Sequence, residues 1–228
     1  MEDVEAVRRT KAIIPLLFTD ILVAIKTMAV FESANDMVPK EMREAVSYYS
    51  NTFNITQYSL SLKLALDVAR VFDVSDPNRF RIENQEKASL QVLAALIGRD
   101  DVKFYFESNS KNWVGGSAPV TLAIAKFLEK IDSLNSLESQ PFEALQRVRS
   151  FRTTRLAHSL FDTSPDQLPY PYIDDLRILL KLAGEALNEI QLISTGSNFD
   201  YLEGMSVTRE IADEYHKMLL VGLKSGPR

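Results

Sequence analysis

The amino-acid sequence predicts an all-α protein, an antiparallel helical bundle. The 228-residue chain has only eight glycines. Apolar residues recur over long stretches at the three- and four-residue spacing of a helix face, and few breakers interrupt them. No repeat or low-complexity tract divides the chain. One all-α domain over residues 1–228 is therefore expected.

The N-terminal half is predicted to contain four helices. A long helix is expected over residues 4–33, and Pro39 is expected to open a short one that ends at Tyr49. Thr56 is a candidate N-cap for a third helix, because threonine accepts hydrogen bonds from the first turn. The third helix carries an apolar stripe as far as Phe72. A fourth helix is predicted over residues 86–97.

The middle of the chain is less regular. Val102, Phe104 and Phe106 alternate like a strand, yet helix or loop is the favoured interpretation of residues 98–116. Helical spacing returns over residues 119–134, and a polar linker follows as far as Ser139.

The C-terminal part is predicted to contain three helices. Pro141 suits the first turn of a helix expected to run to Phe161. Prolines mark a loop over residues 164–172, and helices are expected over residues 173–193 and 207–223.

The apolar run over residues 12–31 raises the question of a membrane span. Pro15, Asp20 and Lys26 interrupt it at depths where charge is costly. The preceding residues are acidic, whereas a signal peptide begins with basic ones. The run is therefore predicted to be a buried helix of a soluble bundle with no membrane partner.

Composition excludes several classes of function. A formal net charge of −5 argues against broad, nonspecific wrapping of nucleic acid. The chain has no cysteine, so it has no disulfide, thiolate nucleophile or zinc–thiolate site. This composition suits a reducing cytoplasm, where the protein is expected to reside.

The most informative stretch is residues 147–158, which holds four arginines, no acid and one of the two histidines. The cations are Arg147, Arg149, Arg152 and Arg155, and the histidine is His158. Arginine holds phosphate through a planar fork of donors. Histidine changes charge near neutral pH and can therefore move a proton. The combination suggests chemistry on a phosphodiester.

On one straight helix, Arg152 and His158 would lie about 9 Å apart along the axis and roughly 120° apart around it. Such a helix presents a polar ridge and no closed pocket. Two ridges facing each other across a symmetric dimer would form a cleft lined with arginine and histidine.

RNA cleavage without a metal needs little more than such a cleft. The ribose 2′-hydroxyl attacks the adjacent phosphorus, so the protein must only move protons and stabilise phosphoryl charge. The sequence shows no carboxylate cluster with metal-ligand spacing, and neither a metal nor a cofactor is expected. His216 lies in an acidic context, and is predicted to be exposed and without a catalytic part.

A structural interpretation competes with this one. A lone histidine on a helix usually has no chemical role, and arginines on one helix often pair with acids on a neighbour. Asp174, Glu185 and Glu189 on the following helix are candidates for such partners.

Two segments resemble those of a known family. Arg152-Thr-Thr-Arg-Leu-Ala-His158 is similar to the arginine–histidine signature of the HEPN superfamily, and in particular to the abortive-infection U subgroup. Leu66-Asp-Val-Ala-Arg70-Val-Phe-Asp73 resembles a segment that this subgroup carries on an earlier helix. The resemblance extends over most of residues 10–195.

The resemblance implies an all-α bundle of the HEPN type with additional helices, a homodimer and ribonuclease activity on RNA. Such proteins act as toxins or antiviral effectors, and an antitoxin or activating partner is possible. Arg152 and His158 would form the catalytic pair. Arg155, with Arg149 and Arg70, would contact RNA phosphates.

Two features leave alternatives open. Thr153 follows the motif arginine where active members often have Asn, Asp or His, and some members are non-catalytic modules that bind RNA, nucleotides or proteins. Arg70 could instead pair with Asp73 three residues later at a helix end.

Overall fold

The computed structural model describes residues 2–41, 47–76, 78–153, 172–198 and 200–225. These ranges contain eight α-helices and no β-strand, which confirms the predicted fold class. The helices are α1 Glu2–Glu41, α2 Ser47–Val71, α3 Leu90–Ile97, α4 Asp100–Asn109, α5 Ala118–Asp132, α6 Gln140–Phe151, α7 Ile173–Thr195 and α8 Tyr201–Ser225.

Helix α7 is the centre of the bundle. It contacts α1, α2, α5, α6 and α8. Its sequence explains this position, because its apolar residues form a broad stripe along the helix that packs against several neighbours. Its buried apolar residues are Leu176, Leu179, Leu180, Leu182, Ala183, Ala186, Leu187, Ile190 and Ile193. It ends at Thr195, two residues past the predicted end. Gly196 follows with φ +73° and so adopts the left-handed conformation typical of a helix C′ residue.

Helix α1 packs along the bundle against α2, α3, α4, α7 and α8. Of the described helices, it is the one long and apolar enough, by length and composition, to cross a membrane. A core helix can satisfy the same criterion, and 44% of its apolar window is buried inside the protein. Leu17, Ile21, Ala24 and Met28 on its inner face are all buried, as predicted for a core helix.

Two predicted helix starts in the N-terminal half are wrong. Pro39 does not open a helix but lies in the last turn of α1, which continues past residue 33 because Ala34 and Val38 are buried in the bundle. Thr56 is not a cap, since α2 begins at Ser47 and the Thr56 hydroxyl donates to the Thr52 carbonyl within that helix.

The fourth predicted helix begins later than expected. Helix α3 starts at Leu90, where Ser89 accepts the Val92 amide hydrogen as its N-cap. The preceding segment is held outside the helix because Arg9 donates to the backbone carbonyls of Glu83 and Gln85.

Residues 98–116 are mostly helical, so the favoured interpretation is confirmed and the strand alternative is not. Val102 and Phe106 are buried one turn apart on α4, whereas Phe104 is 68% exposed. Trp113 follows the helical part of this segment, and its ring packs closely on Gly196. A Cβ atom added at residue 196 would lie 2.8 Å from the Trp113 ring. This contact joins the segment to the end of α7.

Within the part of the chain that the structure describes, the last helices agree with prediction in number, and partly in extent. Helix α5 covers residues 118–132, against a predicted 119–134, and α6 begins with Pro141 in its first turn and Ser139 as its N-cap. Helix α8 starts at Tyr201, six residues earlier than predicted. Most of the predicted loop over residues 164–172 lies outside the described residues.

The prediction that His216 is exposed is wrong. The side chain is 4% exposed and its Nδ1 lies 2.9 Å from the Ser33 hydroxyl of α1. The acidic neighbours suggested exposure, but His216 faces α1 on the same stripe as Ala212 and Leu220, which are also buried. Burial lowers the pKa of His216, and the Ala212 carbonyl and Asp213 only partly oppose that effect.

This burial predicts a pH dependence of folding. The unfolded chain binds a proton at His216 as the pH falls below about 6.5, whereas the folded chain, with its lowered pKa, binds it only at lower pH. The free energy of unfolding should therefore fall as pH decreases from 7.5 to 5.5. Urea denaturation of wild type and His216→Gln should show that the variant loses part of this slope. His158→Gln is the matched control, and an unchanged slope in His216→Gln would contradict the prediction.

Candidate functional site

Three motif arginines project from the last two turns of α6 and the residue after it. Ala144, Leu145, Val148 and Phe151 are buried and fix the helix against the bundle, which leaves the arginines at its edge. The helix hydrogen-bonding widens to a π-type turn at Arg152 and Thr153. Such turns are rare and often occur at functional sites. The backbone is therefore irregular at the motif arginine.

The Arg152 guanidinium binds the Asp73 carboxylate. Its Nη1 lies 2.6 Å from Oδ1, and the other oxygen, Oδ2, accepts a 2.8 Å hydrogen bond from the Lys87 Nζ. Burial alone would raise the pKa of Asp73, but the Lys87 and Arg152 hydrogen bonds outweigh it and hold that pKa below its ordinary value. Asp73 is thus a carboxylate anion between two cations.

Arg149 lies deeper in the protein than Arg152. Its Nη2 donates to the Phe72 carbonyl at 3.0 Å and to the Gln91 Oε1 at 2.8 Å. Burial lowers the pKa of Arg149, but an arginine remains charged in a protein. These bonds join α6 to the end of α2 and to α3. Arg149 therefore holds the backbone that carries Asp73, whereas the sequence predicted a phosphate contact.

Arg70 does not pair with Asp73 three residues later, as one alternative had it. Its Nη2 lies 2.5 Å from the Asp20 Oδ1 on α1, and its side chain is 63% exposed. Arg70 pairs with Asp20 and not with Asp73 because its side chain extends over the neighbouring helix α1. Asp73 follows the end of α2 and turns the other way, towards α6. Arg70 remains accessible to a ligand.

Arg70, Asp73 and Lys87 line one surface groove of ≈ 430 Å³, together with Leu16, Asp20 and Ala88. A second groove of ≈ 420 Å³ shares Leu16, Lys87 and Ala88 and extends to Arg8 and Arg9. The two grooves form one open track along α1. The end of the track beside Asp73 adjoins Arg152.

Arg147 forms an ion pair with an acid on the neighbouring helix, as the structural interpretation of the arginines expected. Its Nε and Nη2 both donate to the Asp175 carboxylate of α7, and these hydrogen bonds raise the pKa of Arg147. Asp175 was not among the partners predicted. Two of the predicted acids pair elsewhere, Asp174 with Arg177 and Glu185 with Lys130.

Arg155 and His158 lie outside the described residues, so the predicted ridge of Arg152 and His158 stays a prediction. Of the predicted site residues, the structure brings Arg149 and Arg152 to one end of α2 and places Arg70 on its last turn. Among the described residues, no group of three or more His, Cys, Asp or Glu side chains is arranged to hold a metal ion.

Sequence reasoning missed three residues of the site, namely Asp20, Lys87 and Gln91. Asp20 had a signal, because it is an acid inside an apolar helix and such an acid needs a partner. Lys87 and Gln91 had none, because they lie in an extended segment and a short helix whose position only the fold determines.

An all-α bundle with an arginine motif at the end of one helix and an acid-bearing helix end beside it has the features of a HEPN-type protein. The model of the HEPN family AbiU2 matches residues 9–215. The chain therefore belongs to the AbiU2 family, as the resemblance implied. No curated protein and no solved structure matches it.

Proposed function

We propose that the protein is a metal-independent endoribonuclease of the cytoplasm, acting as a toxin or as an abortive-infection effector against viruses. Membership of the AbiU2 family supports a HEPN nuclease-like or abortive-infection role. The observation that supports RNA as the ligand is the Arg152–Asp73–Lys87 arrangement, in which two cations already hold an anion at the end of an open groove.

A phosphodiester has the chemistry to share this position. Arg152 presents a planar donor fork, Lys87 a point charge, and the exposed Arg70 a further cation in the same groove. Arg155 would add another at the motif. These cations would hold the phosphate and stabilise the charge that grows on its oxygens during the reaction.

His158 would move the protons. As a base it would accept the proton of the ribose 2′-hydroxyl, whose oxygen then bonds to phosphorus. The bond to the 5′-oxygen breaks, and that oxygen takes a proton from a histidinium. The products are a 2′,3′-cyclic phosphate and a free 5′-hydroxyl. One His158 from each copy of a homodimer would supply the base and the acid.

The exposed apolar residues beside the groove support such a dimer. Leu16 and Val23 flank Asp20 on α1, and Leu66 lies one turn before Arg70 on α2. Each is at least 42% exposed, although apolar. A second copy seated on this surface would cover them and bring its own motif to the groove.

The test is cleavage of end-labelled single-stranded RNA with EDTA present. Wild type should leave 2′,3′-cyclic phosphate ends, and His158→Ala should leave the RNA intact. Equal cleavage by the variant would remove His158 from the mechanism, and loss of cleavage in EDTA would contradict metal independence.

The second candidate function is a non-catalytic module that binds RNA, a nucleotide or a protein partner. The internal pairing of Arg152 with Asp73 favours it, and Thr153 at the next position is the departure from active members. Salt-dependent RNA binding by wild type without cleavage, unchanged in His158→Ala and weakened in Arg152→Ala, would establish it. An antitoxin or an activating protein belongs to the first proposal, as the partner of a toxin or effector nuclease.

A further inference from the structure

The two faces of α8 have different surroundings. The inner face packs on α1 through Ala212, His216 and Leu220, which recur every four residues and are at most 7% exposed. The opposite, outer face carries Val207 and Ile211, followed by further apolar residues, and is exposed to solvent. Helix α8 is thus anchored by one side and uncovered on the other.

The outer face carries a short run of residues at the spacing of a coiled-coil seam. Val207, Ile211, Met218 and Val221 are between 50% and 76% exposed. With Glu214 they fall at intervals of four, three, four and three residues, which is the a/d pattern of a heptad repeat. Solvent exposure of such a seam is unfavourable unless a second helix covers it.

The charges beside the seam repeat every seven residues. Glu203, Glu210 and Lys217 occupy one flanking position and are all exposed. Lys224 continues the same spacing in the sequence. The flank is therefore acidic towards the start of α8 and basic towards its end. In coiled coils such flanking charges decide orientation and partner.

We propose that the outer face of α8 pairs with α8 of a second copy of the chain in antiparallel orientation. In this orientation Glu210 faces Lys217 of the second copy, and Lys217 faces Glu210, so opposite charges meet on both sides of the pair. In a parallel pair, Glu203 and Glu210 would instead face the opposite flank of the second copy, at Thr208 and Tyr215, and no ion pair would form there. The order of the charges along the flank therefore favours α8 of a second copy as the partner, in antiparallel orientation.

The same alignment fixes the contacts in the seam. Val207 packs against Met218 of the second copy, and Ile211 packs against Glu214. Glu214 is the one charged residue of the seam, and its removal from water lowers the affinity of the pair. A two-fold axis through the middle of α8 relates the copies at this contact, which lies on a different surface from the proposed dimer over Leu16, Val23 and Leu66.

This contact is separate from the proposed RNA site. Helix α8 does not line the grooves that carry Arg70 and Lys87. The seam also continues past residue 215, where the match to the family model ends. The inference therefore stands whether or not the protein cleaves RNA.

Disulfide crosslinking tests the orientation, because the native chain has no cysteine. Val207→Cys and Met218→Cys are made as separate full-length variants and oxidised alone and as a mixture. In the antiparallel pair, the two thiols of a Val207→Cys dimer lie about 16 Å apart and do not react, but in the mixture the thiol of one variant meets the thiol of the other. Crosslinks only in the mixture are expected. Efficient crosslinking of either variant alone, or none in the mixture, would overturn the proposal.

Association itself is measured by sedimentation equilibrium. Ile211→Glu should remove the α8 contact, while Ser206→Glu, on an exposed position outside the seam, should not. Glu210→Lys and Lys217→Glu should each weaken association several-fold, and the double variant should recover it. Glu214→Leu should tighten it. Wild-type association in Ile211→Glu, with every charge variant unchanged, would rule the contact out.

Discussion

Replacing Arg152 with alanine is expected to slow RNA cleavage by about 10²–10³-fold, which is the usual cost of losing one donor to a developing oxyanion. The guanidinium is held by Asp73 at the end of the groove, so its position is set before substrate binds. Arg152→Lys keeps the charge but loses the fork, and should recover only part of the rate. The measurement is single-turnover cleavage with EDTA present.

His158→Ala should cost about 10²–10⁴-fold in the same assay, because general acid–base catalysis contributes that much. Circular dichroism and thermal unfolding are the controls for both variants, since Arg152→Ala also leaves Asp73 with Lys87 as its remaining ion-pair partner. A folded Arg152→Ala protein with the wild-type rate would exclude Arg152 from catalysis.

Phe72→Ala is expected to lower the free energy of unfolding by about 3–5 kcal/mol, as is usual when a fully buried phenylalanine is truncated. Phe72 also has a local role. Its carbonyl accepts the Arg149 hydrogen bond and the next residue is Asp73. The cavity should therefore loosen the position of the carboxylate that holds Arg152, and RNA affinity should fall as well.

Phe127→Ala is the matched control, because Phe127 on α5 is equally buried and not one of the residues lining the grooves. It should lose similar stability in urea denaturation. RNA affinity, measured well below both unfolding midpoints, should fall for Phe72→Ala alone. Equal affinities in the two variants would show that Phe72 stabilises the fold without positioning the site.

The helices that the sequence predicted best are those whose burial follows their own periodicity. Helix α7 carries a broad apolar stripe along its length, and Gly196 stops it, so both its existence and its end could be read from local residues. Helix starts near Pro39 and Thr56 could not, because burial of Ala34 and Val38 against other helices extends α1 beyond its apparent end.

The residues of the site were likewise predictable only in part from the sequence. The arginine run was visible because residue type and spacing suffice to mark it. Its partners were not, since the Arg152–Asp73 bond joins residues 79 positions apart and the Arg149–Gln91 bond joins residues 58 apart. His216 shows the same limit, because its burial depends on which side of α8 meets α1.

The Asp73 carboxylate has a consequence for the ionic atmosphere of the groove. Arg70, Lys87 and Arg152 are three cations, but Asp20 and Asp73 already neutralise much of their charge. These carboxylates are covalently attached counterions that would stay with the protein if the groove binds RNA as proposed. Fixed acids of this kind weaken the attraction of the groove for polyanions in general, so binding of an RNA strand would depend on its shape and on contacts beyond its charge.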